Sequence, residues 1–285
     1  PLAASGPVVY VAAQHKKKAR AMDYGLKGQV AVVTGSTSGI GLGLAEALAR
    51  LSAEPGVWRP FAGGTDLMVL LESGHLAHTK FISLWGLAGL DRIEVTESGV
   101  TIGALATYTD IAAHPVIRTE FPNLVAAARE TGALALQNRG TIGGNIANAS
   151  PAADTPPALL CHDASLELVS SRGARIIPYS QFHLGYKKTA LAPDELIHRV
   201  IVPRAPKGAK HSYRKVGTRR AQAISKVCFA GVIAMDFRRV GDVRIALGSV
   251  AATPIRASRT EALLRGATLD ATVIRSAAAT LASEI

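Results

Sequence analysis

Apolar positions along the chain fall into separate short runs, each with its own period. Residues 1–21 carry no periodic apolar face and include a Lys16-Lys17-Lys18 run, so they are expected to form a tail outside the fold. Val30-Ala31-Val32-Val33 is an uninterrupted apolar run, the pattern of a buried strand. Leu42, Leu44, Ala45, Leu48 and Leu51 then share one side of a predicted helix. Val100 to Leu105 and Ser165 to Val169 read as strands, and Pro122 to Gly132 as a helix. Near the end, Val227 to Phe237 and Val243 to Val250 predict a hairpin joined through Arg238–Asp242. Ser258 to Leu264 and Ala271 to Glu284 predict helices, the second with Val273, Ala277, Leu281 and Ile285 at four-residue spacing.

Composition narrows the class. The chain has 285 residues, of which 48% are hydrophobic and 19% charged. That supports about two ordinary cores at ~150 residues per domain and excludes a wholly disordered chain. No apolar stretch approaches the ~20 residues that span a bilayer. Cys161 and Cys228 are too few for a disulfide scaffold or for an iron–sulfur cluster held by this chain alone. The expected location is therefore a reducing compartment, the cytoplasm. Net charge is +11, and Arg204 to Arg239 holds ten basic residues against Asp236 alone. Such a field suits an acidic partner or acceptor, with a solvated face as the alternative. Aromatic interleaving for base stacking is missing, so nucleic acid is not an expected partner. His75 with His78, and Cys161 with His162, lack the further ligands or bases that a metal or nucleophile site needs.

Three glycine-rich segments carry the candidate chemistry. Thr34-Gly35-Ser36-Thr37-Ser38-Gly39-Ile40-Gly41 lies between the first strand and helix. Asp23 to Gly41 resembles the opening of short-chain dehydrogenases, whose glycines let backbone N–H groups approach a pyrophosphate. That family also needs a tyrosine with a lysine four positions on. None of the six tyrosines here has one. Its second strand is replaced by Trp58 to Gly64, and the resemblance ends there.

The second segment is Ala62-Gly63-Gly64-Thr65-Asp66. Paired glycines can present successive N–H groups to an anion, although the pentapeptide alone reads as a turn. The third, Thr141-Ile142-Gly143-Gly144-Asn145 with Asn148 and Asp154 beyond, frames another glycine pair. Its carboxylate is placed to accept from a sugar hydroxyl. Together the two pairs read as a two-loop clamp on one dinucleotide.

From Glu46 to the C-terminus these motifs, with Phe182 to Ile197 and Tyr213 to Val227, resemble the FAD-binding medium subunit of the molybdenum hydroxylases. That group includes the xanthine and carbon monoxide dehydrogenases. The resemblance implies an α+β fold: a two-subdomain FAD-binding domain (PCMH-type, vanillyl-alcohol-oxidase-like), then an antiparallel-sheet α+β domain. The expected boundaries are a tail at 1–21, the dehydrogenase-like segment at 22–45, the FAD domain at 46–203 and a clipped C-terminal domain at 204–285. The two subdomains are each expected to be α/β.

The resemblance also implies roles. Ala62, Gly63, Gly64, Thr65, Asp66, Thr141, Ile142, Gly143, Gly144, Asn145, Asn148 and Asp154 would bind FAD. Ile197 would pack on the ring system and Lys215 would place a cation near it; the alternative for Lys215 is a surface lysine. The implied activity is electron transfer as part of an oxidoreductase. Electrons would come from an iron–sulfur small subunit beside a molybdenum-cofactor large subunit and leave to an external acceptor. The chain alone would not act on substrate, and it carries no catalytic or metal site of its own. Departures from the family are the replaced N-terminal segment, Thr65-Asp66 where many members have serine and a variable residue, Ala153 in place of a hydroxyl, and an early end at Ile285. Two other readings remain: an NAD-dependent short-chain dehydrogenase fragment, and a cofactor-free hybrid scaffold.

Overall fold

The computed structural model describes residues 10–11, 30–33, 40–219 and 222–285. The loop Thr34–Gly39 lies outside them, as does most of the expected tail. The exception is Tyr10–Val11 (β1), which pairs in parallel with Val30–Val33 (β2), so part of the presumed tail joins a sheet.

The first subdomain is a parallel sheet in the order β1-β2-β4-β3, completed by Trp58–Phe61 (β3) and Lys80–Ser83 (β4). Helix α1, Ile40–Ala53, turns Ala47 and Leu51 onto it, where they are fully buried with Ile82 and Trp58. Leu44 and Leu48 pack against them, as the spacing of leucines predicts, whereas Ala45, expected on the same side, is exposed and Ala47 takes the buried position. Thr65–Glu72 (α2) differs: none of its residues is fully buried.

The second subdomain contains a five-stranded sheet, β5-β6-β11-β7-β8. Its members are Ile93–Val95 (β5), Gly99–Gly103 (β6), Ser165–Ser170 (β7) and Gly173–Pro178 (β8), followed after a short hairpin of His183–Gly185 (β9) and Lys188–Thr189 (β10) by Leu196–Pro203 (β11). Every pairing in this sheet is antiparallel, so this subdomain is α+β and not the expected α/β unit. Between β6 and β7 run six helices: α3 (Tyr108–Ala113), α4 (Pro115–Glu120), α5 (Pro122–Glu130), α6 (Leu134–Gln137), α7 (Ile142–Asn148) and α8 (Pro156–Cys161). Their starts are written locally. Thr107 and Asp110 form a reciprocal capping box on α3, and prolines open α4, α5 and α8.

The C-terminal unit is an antiparallel sheet of Lys210–Gly217 (β12), Ser225–Asp236 (β13), Arg239–Gly248 (β14) and Ile255–Arg256 (β15). Helices α9 (Ser258–Leu264) and α10 (Ala271–Ala282) cover its outer face. The expected five-residue connector between β13 and β14 is instead a tight turn at Phe237-Arg238, with Phe237 at φ 52°. Arg239–Asp242 continue the strand because Val240 is buried under the helices. Helix α10 stops at Ala282, and Glu284 reaches back to accept from the backbone N–H groups of Arg259 and Thr260.

The inner face of this sheet packs on the second subdomain. Helix α8 is buried along its whole length in that seam, and Ala230, Val232 and Ala246 share one core with Leu159 and Leu166. His162 sits in the same seam with no exposed surface, its ring 5.4 Å from His211 and 4.9 Å from Phe121. Its two nitrogens face Asn123 Oδ1 at 3.0 Å and the Pro203 carbonyl at 3.3 Å. Burial, then the neighbouring His211, lowers its pKa to about 3 from 6.5, against the opposing pull of the Pro203 carbonyl.

The unfolded chain therefore binds one more proton than the folded chain between roughly pH 6.5 and pH 3, and stability falls as pH falls through that window. Denaturant unfolding across pH 7 to 4 should show His162→Phe losing stability less steeply than the parent. The difference should approach one proton, about 1.4 kcal/mol per pH unit. Equal slopes would contradict a neutral buried imidazole.

Candidate functional site

Strand β3 ends at Phe61, opposite Ser83, and the chain then turns through Ala62-Gly63-Gly64 into α2. Gly64 caps the helix at φ 77°, a left-handed conformation that glycine adopts without steric cost. Gly63 is required for a different reason. A Cβ on it would lie 1.6 Å from the Arg139 carbonyl oxygen, so the first loop rests directly on the backbone leading into the second. No hydrogen-bond acceptor among the described residues meets the backbone N–H groups of Thr65, Asp66 and Leu67, and no side chain caps α2. These are open donors at a helix start, suited to an anion.

The second loop is built differently. Thr141 bridges to Thr107, and Gly143 packs so closely on Ala104 that a Cβ would come within 2.6 Å of the alanine's own. Ile142 and Gly143 donate their N–H groups to the carbonyls of Ala106 and Ala104, and Gly144 donates to Thr141 Oγ1 at 3.1 Å. The N–H groups around this glycine pair are therefore spent inside the chain. What the loop offers outward is side chains, among them Asn145, tied to Thr155 Oγ1 at 2.9 Å. Asn148 is tied to Asp66 Oδ1 at 3.1 Å and to Lys187 Nζ at 2.6 Å.

Both loops border one cleft of about 770 Å³. Every residue assigned to the site from sequence lines it except Ile142 and Lys215. Ile142 has no exposed surface and belongs to the core. The apolar wall includes Ile197, Leu105, Leu136 and Ile224, the last 81% exposed. The segment before Ile197 is held by ion pairs. Arg175 grips the Glu195 carboxylate with Nε and Nη2 at 2.7 Å each, and Glu195 also accepts from Ala192 N–H at 2.8 Å. The Arg175 guanidinium holds the Glu195 carboxyl below its usual range. Next to it Arg172 pairs with Asp194.

At the C-terminal end of the cleft, Asp154 is buried with both carboxylate oxygens engaged: Ser225 Oγ donates at 2.7 Å and Lys215 Nζ at 2.8 Å. Lys215 also donates to the Glu130 carbonyl at 3.0 Å, and its side chain is only 6% exposed, so it is not the surface lysine of the alternative reading. Burial raises the Asp154 pKa above its ordinary value, against the lowering by Lys215 and Ser225. The basic run 204–239 does not form one face. Arg204 pairs with Glu120 and Lys215 with Asp154, while Arg214 points out to solvent from the opposite side of β12.

Sequence reading missed Leu105, Tyr108 and Leu136. The Thr107-x-x-Asp110 capping box was a legible local signal near the first two; Leu136 carried none. Tyr108 is buried, and its phenol is held protonated, well above the usual range, by burial first and the nearby Asp154 second. Among the described residues there is no cluster of His, Cys, Asp and Glu that could hold a metal. No helix among them is long and apolar enough to cross a membrane.

Residues 42–205 match the family described as the FAD binding domain in molybdopterin dehydrogenase, and residues 211–285 the CO dehydrogenase flavoprotein C-terminal domain. The chain is 32% identical over 231 residues to the xanthine dehydrogenase FAD-binding subunit of Escherichia coli O157:H7, covering 80% of this chain and 78% of the other. It is also 32% identical over 227 residues to the glyceraldehyde dehydrogenase medium chain of Sulfolobus acidocaldarius, covering 80% of each. Among solved structures, carbon monoxide dehydrogenase from Hydrogenophaga pseudoflava superposes with a TM-score of 0.81 at 28% identity, over 87% of this chain and 84% of that one.

Two substitutions test the loops. Gly63→Ala must push the Arg139 carbonyl away and should weaken FAD by at least about tenfold in a binding titration, roughly 1.4 kcal/mol. Binding equal to the parent's would show that the contact does not shape the site. A side chain at Gly144 meets Thr141 Oγ1 within 2.9 Å and enters the cleft, so Gly144→Val should abolish FAD binding while the circular dichroism spectrum stays native. Stoichiometric flavin in Gly144→Val would contradict the two-loop clamp.

Proposed function

The chain belongs to the FAD-binding medium subunits of molybdopterin dehydrogenases, and from that membership we propose how its cleft holds and uses the cofactor. The open N–H groups of Thr65, Asp66 and Leu67 would hold the FAD diphosphate, with the Thr65 hydroxyl as a further donor. Asn145 and Asn148 meet the sugar hydroxyls from the second loop. Ile197 and the Ala223-Ile224 segment, which line the apolar part of the cleft, would hold the ring system. The observation that carries this reading is one cleft bordered by both glycine loops, with open donors at one end and an apolar wall at the other. Its residues fit the group: neutral donors for the charged bridge, amide and hydroxyl groups for the sugars, and carbon for the rings.

FAD supplies two-electron chemistry that can be delivered onward in single steps. The chain's own part is to bind, orient and shield. Gly63, packed on Arg139, fixes the spacing between the loops. Arg175 and Glu195 hold the segment that carries Ile197. The C-terminal sheet closes the cleft through the Asp154–Lys215 pair and Ser225. Residues 46–203 form the cofactor-holding part and 204–285 the closing part.

In the assembled complex, a molybdenum-cofactor subunit oxidises the substrate and an iron–sulfur subunit passes the electrons to this chain. An external acceptor then removes them, and the complex works in the cytoplasm. The protein purified with its partner subunits should show flavin absorbance and release FAD on denaturation. Substrate of the complex should bleach that absorbance in the assembly and leave it unchanged in the isolated chain. A parent protein without flavin, or bleaching by substrate in the isolated chain, would overturn the proposal.

A further inference from the structure

Lys215 and Asp154 stand in a definite order. The Asp154 carboxylate lines the cleft, whereas Lys215 lies behind it, lining a smaller neighbouring cavity of about 320 Å³. The ammonium is fixed by two acceptors, Asp154 Oδ2 and the Glu130 carbonyl, and both side chains of the pair are more than nine-tenths buried. Ser225 holds the other carboxylate oxygen, and Tyr213 Oη donates to the Asp154 carbonyl at 3.2 Å. Aspartate comes from the cofactor-binding part, while lysine, serine and tyrosine come from β12 and β13. A cation behind an anion presents the cleft with the anion's side of a dipole. At this separation in a low-dielectric seam the two charges largely cancel at a distance.

Resting on the FAD reading above, we infer that Asp154 is a positioning residue that fixes Lys215 and cancels its charge, so that the pair, and not a lone lysine, sets the reduction potential of the bound flavin. A lone cation beside the ring would favour the reduced, more anionic flavin and raise its potential. Pairing removes most of that effect. The carboxylate thus acts against the lysine while keeping it in place.

The test is an anaerobic reductive titration of the full chain loaded with FAD, read by visible absorbance against reference dyes. Asp154→Asn removes the anion and keeps a hydrogen-bonding side chain. It should raise the oxidised-to-reduced equilibrium in favour of reduced flavin at least tenfold, about 30 mV for a two-electron couple. The double variant Asp154→Asn with Lys215→Met removes both charges and should return to within threefold of the parent. An unchanged or lowered potential in Asp154→Asn would overturn the inference. So would a tenfold or greater change in the double variant, a fall being the result expected if lysine alone tuned the flavin and a rise the result expected if aspartate alone did. Should Asp154→Asn fail to keep FAD, the double variant, which leaves no unpaired buried charge, decides between these outcomes. If the parent chain itself binds no FAD, the FAD reading fails, and that result is distinct from a parent that binds FAD with variants that do not shift.

Discussion

The site depends on a backbone contact that admits no side chain. Gly63 lies against the Arg139 carbonyl, and through that contact a parallel α/β unit and an antiparallel α+β unit meet at a fixed spacing. Around it the second loop is pinned by Gly143 on Ala104 and by the Thr107–Thr141 bridge, and Arg139 stacks its guanidinium 3.9 Å from the Trp85 ring centre. A dinucleotide is long enough to need both units at once. Their relative position therefore has to be set before binding if ordering costs are to stay low. Close backbone packing does this with little side-chain entropy to lose.

The C-terminal sheet completes the cleft through a seam that buries two polar clusters, in one of which the Asn123 amide nitrogen has no partner among the described residues. The Asp154–Lys215–Ser225 network and the His162–Asn123 contact both lie there, at the two ends of the buried helix α8. A buried ion pair of this kind is weak evidence for stability, because desolvation offsets much of its attraction. Its value here is specificity: the carboxylate accepts from lysine and serine only when β12 and β13 are seated in one register against the cleft. The same register puts Ala223 and Ile224 over the apolar wall.

Much of the fold was legible locally. The Val30–Val33 strand, helix α5 behind its proline, strands β6 and β7 and the β13–β14 hairpin follow from period and from Pro or Gly punctuation. Both glycine pairs were visible too, each readable alone as a turn and together as a two-loop clamp. What the spacing did not reveal was which pair keeps its N–H groups open. That depends on whether carbonyls of Ala104 and Ala106, some forty residues away in sequence, come within reach. Lys215 shows the same limit. Strand β12 reads Lys-His-Ser-Tyr-Arg-Lys-Val-Gly, with a cation on each face, so alternation alone does not say which is buried. Packing against α5 and the Asp154 carboxylate decides it. Leu136 carries no local signal at all, because an apolar residue at a cleft mouth looks like any loop leucine.

Amide hydrogen exchange on the parent chain with and without FAD addresses the division of labour between the loops most directly. Thr65, Asp66 and Leu67 have open N–H groups, whereas those of Ile142, Gly143 and Gly144 are already bonded within the chain. FAD should slow exchange sharply in the segment carrying Thr65 to Leu67 and change it little at Ile142 to Gly144. Slowing confined to Ile142–Gly144, with Thr65 to Leu67 exchanging as freely as before, would contradict the account.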